Sequence, residues 1–203
     1  MTTQKKIRIK TYADFISYLT TDVTLVSVEL QNLQLAAVAN TLIQAANLVS
    51  LYKTRSNPSE LSESATSVLT LQSPLLCHPA KSSTSDQPKF EVFGGVMTFQ
   101  RLLTSSLPQA QKIPVLLIPD IPAEKFLRLY CLHDFTRIFL HDAHNTELKT
   151  VQGYLEAWFK KPQGALSIFQ SDDWLTLYPQ LNSKAKVAKW LNATNKVFTH
   201  SDD

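Results

Sequence analysis

Nowhere in the 203 residues does an apolar run approach the roughly eighteen needed to cross a bilayer as a helix. That removes helical integral membrane proteins from consideration. The opening residues, Met1 to Lys10, are polar and basic and lead into no apolar segment, so no secretory signal is expected and the cytoplasm is the expected compartment. Cysteine is nearly absent. Cys77 and Cys131 are the only two, without CxxC spacing or neighbouring ligands, which leaves two buried thiols or, alternatively, a disulfide or reactive pair. A strong charge of one sign is missing too: the formal net charge is +3, well short of the signature of a protein that binds nucleic acid by bulk charge. No GxSxG elbow occurs, and Asp120, Glu124, Asp134 and Asp142 are too scattered in sequence to assemble a nuclease metal site. The balance is against an enzyme. His141, Asp142 and His144 offer metal-ligating types close together, and a surface loop explains them equally.

What is present is ordinary globular composition, with 44% apolar and 18% charged residues, enough for one domain or one domain with an appendage. Val23 to Leu30 alternates and is β-branched, predicting a strand. From Leu33 to Tyr52 apolar residues recur at helical spacing, predicting one amphipathic helix. A second helix is expected over Leu61 to Leu69, then a short strand between Ser73 and Pro79 and a polar loop from Lys81 to Lys89. Phe90 to Phe93 reads as a strand ending in Gly94-Gly95, followed by a helix from Val96 to Leu103. Ile113 to Ile118 reads as a buried strand, with Pro114 placing its start near a sheet edge. Pro122 suits the first turn of a helix from Ala123 to Asp134 or somewhat beyond. The class is α+β, with short strands between helices. Beyond residue 150 the composition shifts to short helical stretches carrying Tyr154, Trp158, Phe159, Phe169, Trp174 and Tyr178, a spacing that favours packing over a base-stacking platform.

Four segments in order, SESATSVLTLQSPLLCHP, FEVFGGVMTFQRLL, IPVLLI and AEKFLRLYCLHDFTR, resemble the N-terminal domain of ParB-type partition proteins between Leu61 and Arg137. Phe93-Gly94-Gly95 is also similar to the corresponding turn of sulfiredoxins, which share that fold. The resemblance implies a small mixed sheet with packed helices over residues 1–150, followed by a helical region over 151–203. It also implies a nucleotide site, for CTP or ATP with magnesium, at Gly94, Gly95, Thr98 and Arg101, with His133, Asp134 and Arg137 beside it. The physical device is a strand ending in glycine, where the backbone approaches a phosphate and the next helix aims its unpaired N–H groups at the anion. The chain departs from it where Val96, Met97 and Thr98 replace the family's charged or thiol residues. With valine at position 96, sulfiredoxin chemistry has no nucleophile. Gly94-Gly95 as a purely architectural turn is the competing reading.

Ser183 to Val197 resembles a helix-turn-helix, with Lys184, Lys186 and Lys189 placed for phosphates and Asn195 and Lys196 for a groove; a plain helical hairpin explains the same residues. Three functions follow from the likeness. The first is a ParB-like DNA-associated binding protein of plasmid, phage or chromosome maintenance. The second is a nonenzymatic protein-interaction or conjugation-inhibition factor on a degenerate ParB/sulfiredoxin fold, and the third a ParB-like nuclease or ATPase. DNA is the expected partner, with a protein partner or a homodimer as alternatives and no membrane.

Overall fold

The computed structural model describes residues 9–47, 63–81, 83–84, 88–137, 148–191 and 193. The chain forms two compact units, one of residues 1–39 and 55–130, the other of residues 40–54 and 131–203.

The first unit is built on a five-stranded mixed sheet, which makes the protein α+β. Its strands are β1 (Thr24–Glu29), β2 (Leu33–Leu35), β3 (Leu75–Pro79), β4 (Phe90–Gly94) and β5 (Lys112–Leu117). They lie in the order β1-β5-β3-β4-β2. β1 runs antiparallel to β5, β5 parallel to β3, β3 antiparallel to β4, and β4 parallel to β2. One face carries the core: Val28, Leu33, Leu75, Cys77, Val92, Ile113 and Val115 alternate inward from the strands and meet Phe99 and Leu102 of helix α4 (Val96–Thr104). Helices α1 (Tyr12–Thr21), α2 (Ala37–Ala45) and α3 (Glu63–Gln72) precede β1, follow β2 and precede β3 respectively. Helix α5 (Glu124–Arg137) follows β5, and two of the three boundaries between the units fall inside α2 and α5.

Pro114 is not near an edge. β5 is an inner strand, between β1 and β3. The Leu30 N–H donates to the Gln111 carbonyl at 2.9 Å, which sets the phase of the β1–β5 ladder. In that phase Pro114, opposite Ser27, turns its nitrogen away from β1 and towards β3. The β3 ladder begins only at Leu75, opposite Val115, so the missing N–H of proline costs no sheet hydrogen bond.

The single helix expected over Leu33 to Tyr52 is instead a strand and a helix. Leu33 to Leu35 joins the sheet edge beside Phe90 to Val92, and the Ala36 N–H extends the pairing to the Val92 carbonyl at 2.9 Å. Pairing with β4 buries Leu33, and that gain outweighs the weak helical preference of three residues. α2 then covers Ala37–Ala45 only, and residues 48–52 lie outside the described residues. Helix α5 begins at Glu124, so Pro122 sits just ahead of it rather than in its first turn.

The opposite face of the sheet is closed by an aromatic cluster. Phe15 of α1 stacks on Phe126 with ring centroids 5.8 Å apart, and Tyr130 meets Phe93 edge-on at 5.5 Å. Sequence periodicity left α1 unassigned. Its start is marked by a reciprocal cap: the Asp14 N–H donates to Thr11 Oγ1 at 3.1 Å and the Thr11 N–H to Asp14 Oδ2 at 2.9 Å.

The described part of the second unit from residue 131 onward is helical. It holds the end of α5 and then α6 (Leu148–Trp158), α7 (Asp172–Leu177) and α8 (Lys184–Trp190), with a 3₁₀ turn at Ile168–Gln170. The compositional boundary at 150 falls inside α6. Trp158, Phe159, Phe169 and Trp174 are all fully buried, so these aromatics are core, as their spacing predicts. The Trp158 indole donates to the Leu42 carbonyl at 3.0 Å and the Trp174 indole to the Leu181 carbonyl at 2.7 Å, which satisfies both buried N–H groups. No helix among the described residues is long and apolar enough to cross a membrane.

Candidate functional site

The glycine turn forms where the sequence places it. β4 ends at Gly94, Gly95 is the N-cap of α4, and Gly95 takes φ +63, a left-handed conformation that favours glycine. What faces the turn is protein backbone. A Cβ on Gly95 would collide with the Pro74 carbonyl oxygen and lie 2.9 Å from its carbon and 3.1 Å from the Ser73 oxygen. A Cβ on Gly94 would meet the Tyr130 ring at 2.7 Å and Leu76 at 2.9 Å. Both glycines are therefore required by the close approach of the chain to itself, and the groups nearest Gly95 are electron-rich carbonyls. Val96 and Thr98, in the first turn of α4, are buried, whereas Arg101 is exposed in its last turn. Six residues of helix put Arg101 roughly 9 Å further along the axis than Gly95.

His133, Asp134 and Arg137 occupy the end of α5, in the second unit. Arg137 Nη2 lies 3.9 Å from Asp134 Oδ1, the outer limit of an ion pair. With the guanidinium substantially exposed, the pair contributes on the order of 0–1 kcal/mol. His133 stacks on Tyr178 with ring centroids 6.2 Å apart. Burial pushes the Tyr178 phenol up to about 12, so it is neutral at physiological pH.

Neither Cys77 nor Cys131 is in a disulfide, and both are buried. Burial pushes the Cys77 thiol up to about 12, far from the thiolate that nucleophilic chemistry needs. A Cys131→Ala protein should accordingly react with a disulfide reagent far more slowly when native than when unfolded, because burial both hides the Cys77 thiol and keeps it un-ionised. Rapid labelling of the native variant would return Cys77 to the list of chemical groups. No cluster of three His, Cys, Asp or Glu side chains suited to a metal exists among the described residues, and His141, Asp142 and His144 lie outside them.

Two arrangements carried no signal in the sequence. His78, only 1% exposed, holds Nδ1 at 2.9 Å from the Pro79 carbonyl, which must accept, and turns Nε2 towards Glu91 at 3.6 Å. Gln34 donates to the other oxygen of Glu91 at 3.3 Å, so one polar row crosses β3, β4 and β2. The second arrangement is a cleft of about 250 Å³ in the helical unit, walled by α6, the 3₁₀ turn and the start of α8. Of the candidate binding residues named from the sequence, its lining includes Lys184, and it also includes Phe159 and Phe169 of the aromatics expected to be packing.

The C-terminal lysines divide by exposure. Val187 and Ala188 are the buried side of α8, Lys184 is half-buried, and Lys186 and Lys189 are exposed. Lys186 Nζ donates to Asn182 Oδ1 at 2.9 Å. Asn195 and Lys196, with the second helix expected there, lie outside the described residues. Comparison with family models, curated proteins and solved structures finds no match to this chain.

Proposed function

We propose that this chain is a nonenzymatic DNA-associated protein that contacts the phosphate backbone through the outer face of α8. A single observation carries the proposal: Lys186 and Lys189 lie on the side of α8 opposite buried Val187 and Ala188, and Trp190 flanks that side next to Lys186. Residues three and four apart are neighbours on a helix surface, so two ammonium groups and an indole form one patch. Trp190 is 37% exposed although its ring lies 6.1 Å from that of Tyr178. Lysine neutralises phosphate without reading sequence, and an exposed ring offers a stacking surface.

We also read the first unit as a divergent ParB/sulfiredoxin-like domain. In support, the four motif segments fall on α3–β3, β4–α4, β5 and α5 in that order. The packing of Gly94 and Gly95 against Tyr130, Leu76 and the Pro74 carbonyl accounts for both glycines without a phosphate, so nucleotide is left out of the proposed binding act.

The test is a fluorescence-anisotropy titration of a labelled random duplex over a salt series, with and without CTP or ATP and magnesium. Affinity should fall steeply with salt, and Lys186→Glu with Lys189→Glu should lower the slope of log K against log salt by about two. An unchanged slope, or no binding at low salt, sinks the DNA reading. A protein partner is the second reading, favoured by the outer edge of β1. There Leu25 is 72% exposed, and Leu25, Ser27 and Glu29 turn their backbone groups away from β5, the one strand paired with β1 among those described.

A further inference from the structure

We infer that the cleft of the helical unit binds a small organic anion: an acidic headgroup on a body no larger than a ring system or a short acyl chain. Its floor is apolar and fully buried, made by Leu155 of α6, by Phe159 just after it and by Phe169 of the 3₁₀ turn. Its wall carries two cations, Lys161 and Lys184. Ser167 also lines it, and its side chain makes no capping bond to the turn that it starts. The one carboxylate on the wall, Glu156, accepts from Gln152 at 2.8 Å along the same helix face. An apolar floor with two lysines against one glutamate and a hydroxyl in the lining suits an amphipathic anion better than a cation or a neutral apolar molecule. At about 250 Å³ the space lies just below the range of drug-sized sites, which sets the size of the body.

The rim makes the same point. Leu166 is 84% exposed at the mouth, where an occupant's body would cover it. Its position is held, since the Leu166 N–H donates to Gln170 Oε1 at 2.8 Å. The inference is independent of DNA binding, because Lys186 and Lys189 do not line the cleft.

The experiment uses the whole chain and the fluorescent probe 1-anilinonaphthalene-8-sulfonate, with its uncharged analogue N-phenyl-1-naphthylamine as comparison. The sulfonate should bind more tightly than the neutral analogue, and decanoate should displace it where decanol does not. Lys161→Glu with Lys184→Glu should weaken the sulfonate by about a hundredfold, each charged contact being worth about tenfold. The double variant is not expected to disturb folding: Lys161 is exposed, and an acid at position 184 lies in the first turn of α8, where the helix dipole favours it. Circular dichroism is the check that it folds. Equal affinity for the two probes, displacement by decanol as well as decanoate, or an unchanged affinity in the folded double variant would each overturn the inference.

Discussion

Replacing Gly95 by alanine should destabilise the protein by about 2–6 kcal/mol, a large part of the stability of an ordinary domain. Two costs add. A side chain at φ +63 is strained by about 1–3 kcal/mol wherever it occurs. The new methyl also lands on the Pro74 carbonyl, which is backbone and moves only if β3 moves, and overpacking of this kind costs about 1–3 kcal/mol. Gly164 supplies the control. It has φ +78 with nothing within 4 Å of its Cβ position, so Gly164→Ala should cost only the conformational part, about 1–3 kcal/mol. Urea unfolding followed by circular dichroism measures both, as a fall in midpoint at constant slope. If the two alanines cost the same, the space in front of Gly95 yields to an added group. An anion at the glycine turn would then regain its footing.

The second large effect is at Trp174. It is completely buried and ringed by Phe169 and Tyr178 at 4.8 Å and by Phe159 at 5.1 Å, centroid to centroid. Trp174→Ala should cost about 3–5 kcal/mol, the range for removing a buried aromatic that the surroundings cannot refill. Trp174→Phe separates the ring from its N–H. It keeps most of the packing but leaves the Leu181 carbonyl without the indole donor that reaches it at 2.7 Å, a loss of about 1 kcal/mol or more. Because Phe159 and Phe169 are both neighbours of Trp174 and floor of the cleft, probe binding should fall with the alanine variant and persist with phenylalanine. A loss below about 1 kcal/mol for Trp174→Ala would mean that the helical unit does not depend on this ring for its core.

Much of the architecture was legible along the chain. Alternation over Thr24–Glu29, the apolar run into Leu117 and the helical spacing after Val96 and Glu124 mark elements whose local pattern agrees with their final surroundings. The α+β class, the buried aromatics beyond residue 150 and the glycine turn between β4 and α4 follow from the same local signals. Where the reading failed, the deciding partner was distant in sequence. Leu33 to Leu35 carries helical spacing and becomes a strand because β4, more than fifty residues on, offers a free edge and a place to bury Leu33. Helix α1 had a visible start in Thr11 and Asp14, but its reason for staying helical is Phe15 seated among Phe93, Phe126 and Tyr130.

The site residues divide along the same line. Period and residue type place Gly94 and Gly95 at a turn, but they do not say what lies opposite, and the Pro74 carbonyl lies there because β3 runs beside β4. Likewise the lysine spacing in α8 is plain in the sequence, whereas which lysines are exposed depends on where Val187 and Ala188 are buried. The cleft is further still from the sequence, since Leu155, Lys161, Phe169 and Lys184 share no motif and meet only once Trp174 has gathered the helices around it. Local pattern encodes which side of an element avoids water, because that depends only on the chain's own periodicity. What that side meets depends on which distant segment fills the space best, and in this protein that choice settles the strand edge, the glycine turn and the cleft.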